Sequence, residues 1–345
     1  MRFETLYSLR GCGLGGKHHD LTQNEMERLT QLHMDALVID THCDTIWVKY
    51  LKEWGMRPSG LQADFPKLKK GGVDVAFYAI SGNFGAVGDH LVNNAAYNLW
   101  VLDKLFGETD ASDGLVTLAK NSKDILTAEA AGKISVICSI EHSLCLQGEL
   151  GILRMFHKLG LRCLQPTTHR RTWMGDGVGE RTRGGLTEFG VQVVEEAKRL
   201  GILIDVAHLS ESCFWDLIDV SQNPMIDSHA NTKAVCPHIR NLDDDQLKAM
   251  SDVGGVIGVT FVPSFVDQEK PSLDRLLDHV DHIVEVAGID HVGIGSDFDG
   301  GGTLLRDARE MPQITFALAA RGYSDDEIRK ILGENHLRLI KEVCG

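Results

Sequence analysis

Residues 187–208, TEFGVQVVEEAKRLGILIDVAH, contain one complete helix-to-strand unit. Thr187 is a typical helix N-cap residue, and the apolar residues after it recur with helical spacing as far as Leu200. Gly201 follows at the position where helices often end in a left-handed backbone conformation. The next five residues, 202–206, form a short and mainly apolar run of the kind found in strands buried on both faces. The stretch therefore predicts a helix that leads into a buried parallel strand.

The same unit recurs along the chain. Eight short apolar runs alternate with longer segments of helical periodicity, such as 244–253 and 272–287. The runs cover residues 36–40, 73–80, 134–140, 161–165, 202–206, 224–228, 255–261 and 291–295. Strict alternation favours an α/β fold with a parallel sheet, and eight repeats favour a (β/α)8 TIM-like barrel. A doubly wound nucleotide-binding sheet is disfavoured, because no GxGxxG motif follows the first run.

Two segments lie outside this alternation. Residues 1–35 predict an N-terminal extension, which leaves residues 36–345 as a single barrel domain. Residues 82–122 separate the second run from the third, and this insertion after strand two is long enough for a helix pair over one end of the barrel. Connections of this length in a compact domain are usually functional.

Composition excludes several classes of protein. The chain has 345 residues, of which 43% are hydrophobic, so it can bury a core of its own. Its 35 basic and 49 acidic residues give a net charge of -14, which disfavours nucleic acid and anionic membranes as partners. The eight cysteines form no CxxC pair, which argues against a thiolate zinc site. The sequence shows no apolar segment of the kind found in signal peptides, membrane spans or lipid-anchor signals, so we expect a cytoplasmic location.

Histidine and acidic residues follow six of the eight predicted strands. They are His42-Cys43-Asp44 after the first, Glu141-His142 after the third, Thr168-His169 after the fourth, His208 after the fifth, His229 after the sixth and Asp297-Phe298-Asp299 after the last. The carboxyl ends of the strands of a barrel meet at one mouth, where the active sites of such enzymes lie. The sequence therefore predicts a polar site at this mouth.

The residue types at these strand ends favour metal binding. His42 and Asp44 are two positions apart on an extended segment, so their side chains point to the same side. Together with Glu141, His208 and His229 they provide nitrogen and oxygen ligands of the kind that zinc, manganese or cobalt accepts. Five ligands exceed the four of a tetrahedral zinc ion, and a pair of metal ions that share a carboxylate would use them all.

The chain also resembles a known family, the membrane (renal-type) dipeptidases of peptidase family M19 in the amidohydrolase superfamily. The resemblance extends from about residue 38 to the C-terminus, and the set of motifs in this order is highly specific. The motifs are VIDTHCD (38–44), ADFPKLKKGGVDVAFYAI (63–80), SIEHS (139–143), LGLRCLQPTTHRRTWMGDG (159–177), GLTEFGVQVVEEAKRLGILIDVAHLS (185–210), IDSHANTKAVCPHIRN (226–241) and DHVGIGSDFDG (290–300).

The resemblance implies a dinuclear zinc metallopeptidase that hydrolyses dipeptides through a metal-bridging hydroxide. His42 and Asp44 would hold one of two zinc ions per chain, and His208 and His229 the other. Glu141 would bridge the two ions. Two further residues would act on substrate and water: Arg240 would bind the substrate carboxylate, and Asp297 would lie beside the bridging water and transfer its proton. The family also makes a homodimer possible.

The loop after the fourth strand departs from the family pattern. Animal members carry a histidine there that contacts the developing oxyanion, whereas this chain has Thr168 at the aligned position and His169 one residue later. Either residue could support the oxyanion. After the sixth strand, Asn241 follows Arg240, and we expect both to be substrate-binding residues, with Asn241 also able to hydrogen-bond within that loop.

Other functions stay open at this stage. The same metal centre could act on a β-lactam, an N-acyl amino acid or a biosynthetic amide. A barrel lyase or isomerase without metal is the alternative from another class, with the glycines at 300–302 as a phosphate loop and the histidines as acid–base groups. We expect these glycines instead to let the chain turn away from the metal site.

Overall fold

The computed structural model describes residues 22–50, 60–81, 94–182 and 184–345. Its strands are short and nearly completely buried, as expected for a parallel sheet that is covered on both faces. The strands are β1 (Ile39–Cys43), β2 (Val75–Ala79), β3 (Val116–Leu118), β4 (Ile134–Ile140), β5 (Leu161–Leu164), β6 (Leu203–Ile204), β7 (Ile226–Asp227), β8 (Val256–Val259) and β9 (Val292–Ile294).

Eight of these strands form a nearly closed parallel barrel, which confirms the predicted fold. Hydrogen bonds connect them in the order β6-β5-β4-β2-β1-β9-β8-β7. Between β6 and β7 the described residues form an isolated bridge from Asp205 to Ile226 rather than a ladder. The additional strand β3 pairs with residues 134–136 of β4, beside the place where β5 pairs with residues 138–140. It was not predicted, because three residues are too few to show a strand periodicity.

Helices connect the strands, and the residues at their ends form the expected caps. The Thr187 side chain accepts a hydrogen bond from the Gly190 amide, and Gly201 ends the same helix with a φ of 71°. The helices are α1 (Gln23–Asp35), α2 (Thr45–Tyr50), α3 (Phe65–Lys70), α4 (Ala95–Asp110), α5 (Ser122–Ala130), α6 (Leu150–Leu159), α7 (Glu188–Leu200), α8 (Glu211–Ser221), α9 (Asp244–Asp252), α10 (Pro263–Val266), α11 (Leu273–Ala287), α12 (Pro312–Arg321), α13 (Asp325–Arg329) and α14 (Asn335–Cys344). Short 3-10 helices occur at Ser143–Leu146, Ile289–His291 and Ala308–Glu310, and a π-helix at Lys330–Glu334.

Neighbouring residues of several strands pack into two different apolar groups. Ile39, Phe77 and Ile137 belong to one group, to which α14 contributes Leu339 and Ile340. The intervening strand residues belong to the larger group, which packs against the other helices. Because successive side chains of a strand point to opposite faces, this division separates the inside of the barrel from its helical layer.

The predicted extension and insertion are described in part. In the extension, α1 packs its Leu29 and Leu32 into the main core, while residues 1–21 lie outside the described residues. In the insertion, the described part contains α4 and β3, and residues 82–93 lie outside it.

Candidate metal centre

The predicted metal ligands lie on strand ends that surround one mouth of the barrel. His42 is the fourth residue of β1, and Asp44 follows this strand directly. Glu141 follows β4 directly, and His229 follows β7 after one residue. His208 lies four residues beyond β6.

These side chains approach each other closely. The Nε2 atoms of His208 and His229 are 2.9 Å apart, and His208 Nε2 is 3.7 Å from Glu141 Oε1. His42 Nε2 lies 3.7 Å from Asp44 Oδ1, and the His42 and His229 rings stack with centroids 4.0 Å apart. The structure therefore brings all five predicted ligands into one cluster.

Two sets of three side chains in this cluster have ligand atoms within 4.8 Å of one another: His42 with Glu141 and His229, and His42 with Asp44 and Asp297. The second set differs from the prediction, because it includes Asp297. Its Oδ1 atom is 3.9 Å from His42 Nε2. Asp297 therefore lies close enough to bind a metal ion itself as well as to act on a water molecule beside it.

The polar atoms of the cluster fit divalent cations. His42 Nε2 and Glu141 Oε2 are buried, and neither has a hydrogen-bond partner among the described residues. The facing Nε2 atoms of His208 and His229 can share at most one proton if both rings are neutral. Buried polar atoms without partners cost about 1–3 kcal/mol each. A bound cation would remove this cost, since neutral imidazole nitrogens and carboxylate oxygens are its ligands.

Burial controls the protonation of these groups. It raises the pKa of the Asp44 and Glu141 carboxyl groups well above their usual range, and neighbouring acidic groups raise it further. Burial also lowers the pKa of His42 to about 3, and it holds the pKa of His208 and His229 well below normal. Burial thus favours the neutral imidazole, the form that binds metal, and a metal ion would add positive charge beside the buried carboxylates.

The glycines after β9 allow the chain to pass close to the carboxylates. A Cβ atom on Gly300 would lie 2.1 Å from both Asp297 Oδ1 and Asp44 Oδ2. The amides of Gly300, Gly301 and Gly302 all donate to the Asp297 carbonyl oxygen, at 3.1, 3.0 and 2.7 Å. These glycines therefore form the turn that the sequence predicted, directly beside the metal-site acids.

The loop after β5 places His169 against the cluster. Its half-buried ring meets the His208 ring edge-on at a centroid distance of 4.8 Å. Thr168 is buried beside it. Arg171 fixes this loop through two hydrogen bonds to Asp176, at 2.5 and 3.1 Å. Of the two candidate oxyanion residues, His169 is thus the one with a ring contact to a metal-site histidine.

The loop after β7 carries Arg240 and Asn241. Arg240 is 3% exposed, and its Nη2 donates to the His229 carbonyl oxygen at 2.8 Å. Both amide hydrogens of Asn241 are donated to carbonyl oxygens, those of Cys236 and Phe265. Asn241 therefore fixes the loop, and neither of its amide hydrogens is left for the predicted contact with a substrate. A cavity of about 160 Å³ adjoins Arg240 and His208.

Sequence reasoning missed the residues behind these ligands. Trp47 Nε1 donates to Asp44 Oδ1 at 2.6 Å. Asp205 is connected to His229 by the Ser228 hydroxyl group, which is within hydrogen-bond distance of both side chains. A signal for Asp205 exists in the sequence, because it is an acidic residue inside an otherwise apolar run.

Comparison with known sequences identifies the family. The profile of the family described as membrane dipeptidase (peptidase family M19) matches residues 26–344. The chain belongs to peptidase family M19. This membership confirms the predicted resemblance and enzyme class, a metal-dependent dipeptidase.

Three M19-like proteins illustrate the similarity. The chain is 32% identical to the dipeptidase tcpJ of Claviceps purpurea over 66% of its own length and 55% of that protein. A crystal structure of the M19 metallopeptidase called dipeptidase AC superposes with a TM-score of 0.81 at 31% identity, over 90% of this chain and 99% of the other. A metallopeptidase from Rhodobacter sphaeroides, solved with a phosphinate mimic of the dipeptide L-Ala-D-Ala, superposes with a TM-score of 0.80 at 28% identity, over 90% of this chain and 100% of the other.

The length and apolar character of the helices in the described residues bear on whether any of them could cross a membrane. None of them combines the length and the apolar character that a membrane-crossing helix requires.

Proposed function

We propose that this M19 protein hydrolyses dipeptides at two divalent metal ions, with zinc as the expected metal. The observation that carries the proposal is the cluster of five buried nitrogen and oxygen ligands, in which His208 and His229 face each other at 2.9 Å. His42 and Asp44 would hold one ion, His208 and His229 the other, and Glu141 would contact both. When bound, the metal ions supply Lewis acidity that polarises the scissile carbonyl and makes the attacking water more acidic.

Side chains of the protein carry out the remaining steps. Asp297 accepts a proton from the attacking water and returns it to the leaving amine, which requires a carboxylate within hydrogen-bond reach of both. Burial raises the pKa of Asp297 to about 7, and the opposing charge of Arg240 limits the rise. The positive charge of bound metal ions would oppose the effect of burial and favour the carboxylate, the form that accepts a proton.

Two groups orient the substrate. Arg240 binds its free carboxylate, since a guanidinium can donate two parallel hydrogen bonds to it. His169, or Thr168 beside it, stabilises the negative charge that develops on the carbonyl oxygen. The mimic of L-Ala-D-Ala in the Rhodobacter sphaeroides relative supports a dipeptide as the substrate class. A cytoplasmic location and a homodimer stay predictions from the sequence.

The test combines metal analysis with a substrate series. Protein that has been stripped with a chelator and reloaded with zinc should contain two ions per chain and regain dipeptide hydrolysis. Dipeptides should be cleaved, and their C-terminal amides and tripeptides should not. A single tightly bound ion in fully active protein would contradict the bridged pair of metals. Preference for N-acyl amino acids or β-lactams over every dipeptide would contradict the substrate class.

A further inference from the structure

A hydrogen-bonded chain connects a buried carboxylate to His229. Ser228 Oγ lies 2.5 Å from Asp205 Oδ2 and 2.7 Å from His229 Nδ1. The other carboxylate oxygen, Asp205 Oδ1, accepts from the amides of Ser228 and Ala207, both at 3.0 Å. Asp205, Ser228 and His229 are all at least 98% buried, so water does not compete for these contacts.

The direction of each bond in this chain follows from the number of protons available. Burial raises the pKa of Asp205, but three hydrogen bonds from Ser228 and Ala207 favour the ionised form. The two amide donors and the charge of Arg240 favour the ionised carboxylate, which can only accept, so in this state the single Ser228 hydroxyl hydrogen is donated to Asp205. Ser228 Oγ must then accept from His229 Nδ1, which therefore carries the ring proton.

We propose that Asp205 and Ser228 are positioning residues that hold His229 in the Nδ1-protonated tautomer. In this tautomer Nε2 has its lone pair free and directed at the metal site, where it faces His208 Nε2. Metal-binding histidines commonly have such a partner on their second nitrogen. Here a serine is inserted between the imidazole and the carboxylate. The inference rests on the proposed function in one respect, since it takes His229 as a metal ligand.

A second carboxylate–serine pair in the barrel allows the control of a ring proton to be distinguished from the simple joining of two strands. Asp40 Oδ1 accepts from the amides of Ser296 and His42, at 2.8 and 3.4 Å, and its Oδ2 accepts from the Ser296 hydroxyl at 2.6 Å. Ser296 Oγ also accepts from the Phe298 amide at 3.1 Å and lies 3.2 Å from the His42 carbonyl oxygen, and it contacts no imidazole. This pair fastens β1 to β9 with the same chemistry as Asp205 and Ser228, but it controls no ring proton.

Asp205→Asn is the decisive variant, because it reverses the direction of the hydrogen bonds between residue 205, Ser228 and His229 while the side chain keeps its shape. The two backbone amides require an acceptor, so the Asn oxygen occupies the Oδ1 position and its NH2 group faces Ser228. Ser228 must then accept from this amide and donate to His229 Nδ1. The ring proton moves to Nε2, the atom that binds the metal. A carboxylate-to-amide change behind a catalytic histidine imposes a wrong tautomer in the same way.

Asp40→Asn is the matched control, because its serine can reverse and donate to the His42 carbonyl oxygen without moving a ring proton. Ser228→Ala is a third variant, which removes the hydrogen-bonded connection between Asp205 and His229 without reversing its direction. We expect Asp205→Asn to weaken zinc binding by about 10–100-fold, measured by competition with a chelator. Ser228→Ala should weaken it less, and Asp40→Asn least.

A second measurement does not depend on metal. Imidazole 15N shifts of the metal-free protein near neutral pH should show His229 protonated on Nδ1 in the wild type and on Nε2 in Asp205→Asn. Equal zinc affinities for Asp205→Asn and Asp40→Asn, or a wild-type His229 protonated on Nε2, would overturn the inference. If Asp205→Asn does not fold, a Ser228→Ala protein with unchanged zinc affinity and unchanged His229 shifts would overturn it as well. Wild-type protein that binds no zinc would instead contradict the proposed function, and the tautomer result would stand by itself.

Discussion

At the scale of single residues, two nearby aspartates have similar backbone conformations but different neighbouring groups. Asp297 and Asp299 both have a left-handed backbone, with φ of 58° and 65°. Asp297 lies 3.9 Å from His42 Nε2. Asp299 accepts hydrogen bonds from Thr45 and from the Gln62 amide, so it fixes a loop. Asparagine also tolerates this backbone, so each carboxylate can be removed without a change of conformation.

Asp297→Asn should lower kcat by about 10²–10⁴-fold, because the proton acceptor is lost. Metal content should stay near the wild-type value, which elemental analysis of the purified protein can check. Asp299→Asn is the matched control and should change kcat far less. Loss of metal from Asp297→Asn would show that Asp297 is a ligand, as its place in a three-residue set with His42 and Asp44 allows.

Arg240→Lys should lower kcat/KM for dipeptides by a factor equivalent to about 1.5–3 kcal/mol, because lysine cannot form the paired hydrogen bonds of a guanidinium. The wild-type enzyme should discriminate strongly against dipeptide C-terminal amides, and the variant should discriminate less. Arg240 also donates to the His229 carbonyl oxygen and could act purely as a structural brace. A brace would lower the rates for dipeptides and their amides by the same factor, so that result would reject the carboxylate contact.

At the scale of secondary-structure elements, the shape of the mouth depends on the turn at the end of each strand. The turn after β9 is one example, because the Gly300 backbone lies against the carboxylates of Asp44 and Asp297, where a Cβ would overlap both. At the adjacent Gly301, the nearest atom to an added Cβ is a Val262 methyl carbon at 3.5 Å, an ordinary contact. Two neighbouring glycines of one turn therefore differ in their tolerance of a methyl group.

Gly300→Ala should displace the two carboxylates and weaken zinc binding by about 10–100-fold, the range found when groups that orient metal ligands are disturbed. Gly301→Ala should bind zinc almost as the wild type does. Chelator competition on the two variants measures the difference. Equal affinities for both would show that the turn can relax and that the close approach at Gly300 is not required.

At the scale of the whole molecule, helix α1 is attached to the barrel by a histidine that must stay neutral. His33 Nε2 contacts the Gly71 carbonyl oxygen at 2.8 Å, and Nδ1 contacts Thr315 Oγ1 at 2.7 Å. The carbonyl can only accept, so Nε2 carries the proton and Nδ1 accepts from Thr315. Burial lowers the pKa of His33 to about 4, and the bond to Gly71 opposes this shift only in part.

The stability of the protein should therefore depend on pH through His33. Because the folded-state pKa is below the unfolded value of about 6.5, the stabilisation is complete above pH 6.5 and is lost as the pH falls toward 4. Between pH 7 and pH 4.5 this histidine should remove about 2–3 kcal/mol from the free energy of unfolding. His33→Gln has no titrating group, so denaturant unfolding of the variant should lack this part of the decrease. Parallel pH profiles for the two proteins would contradict the assignment.

The sequence by itself determined the repeating unit and the chemistry of the mouth. Mainly apolar runs such as 134–140 favour strands buried on both faces, and segments with helix caps such as Thr187 favour helices between them. Glu141, His208 and His229 could be placed at one mouth because parallel strands of a barrel all end there. These features depend on local spacing and on a general rule of the fold, both of which are visible in one dimension.

The tertiary structure alone decided how the residues of different strands meet. Asp205 and Ser228 are 23 residues apart, and their contact to His229 exists because β6 and β7 are neighbours across the gap in the barrel. In the same way, only the fold shows that the His169 ring lies against His208, and that Gly300 lies against Asp44. Such contacts are set by side-chain directions and packing between segments far apart in the chain. No periodicity or motif encodes them, because their energies depend on distances that exist only after folding.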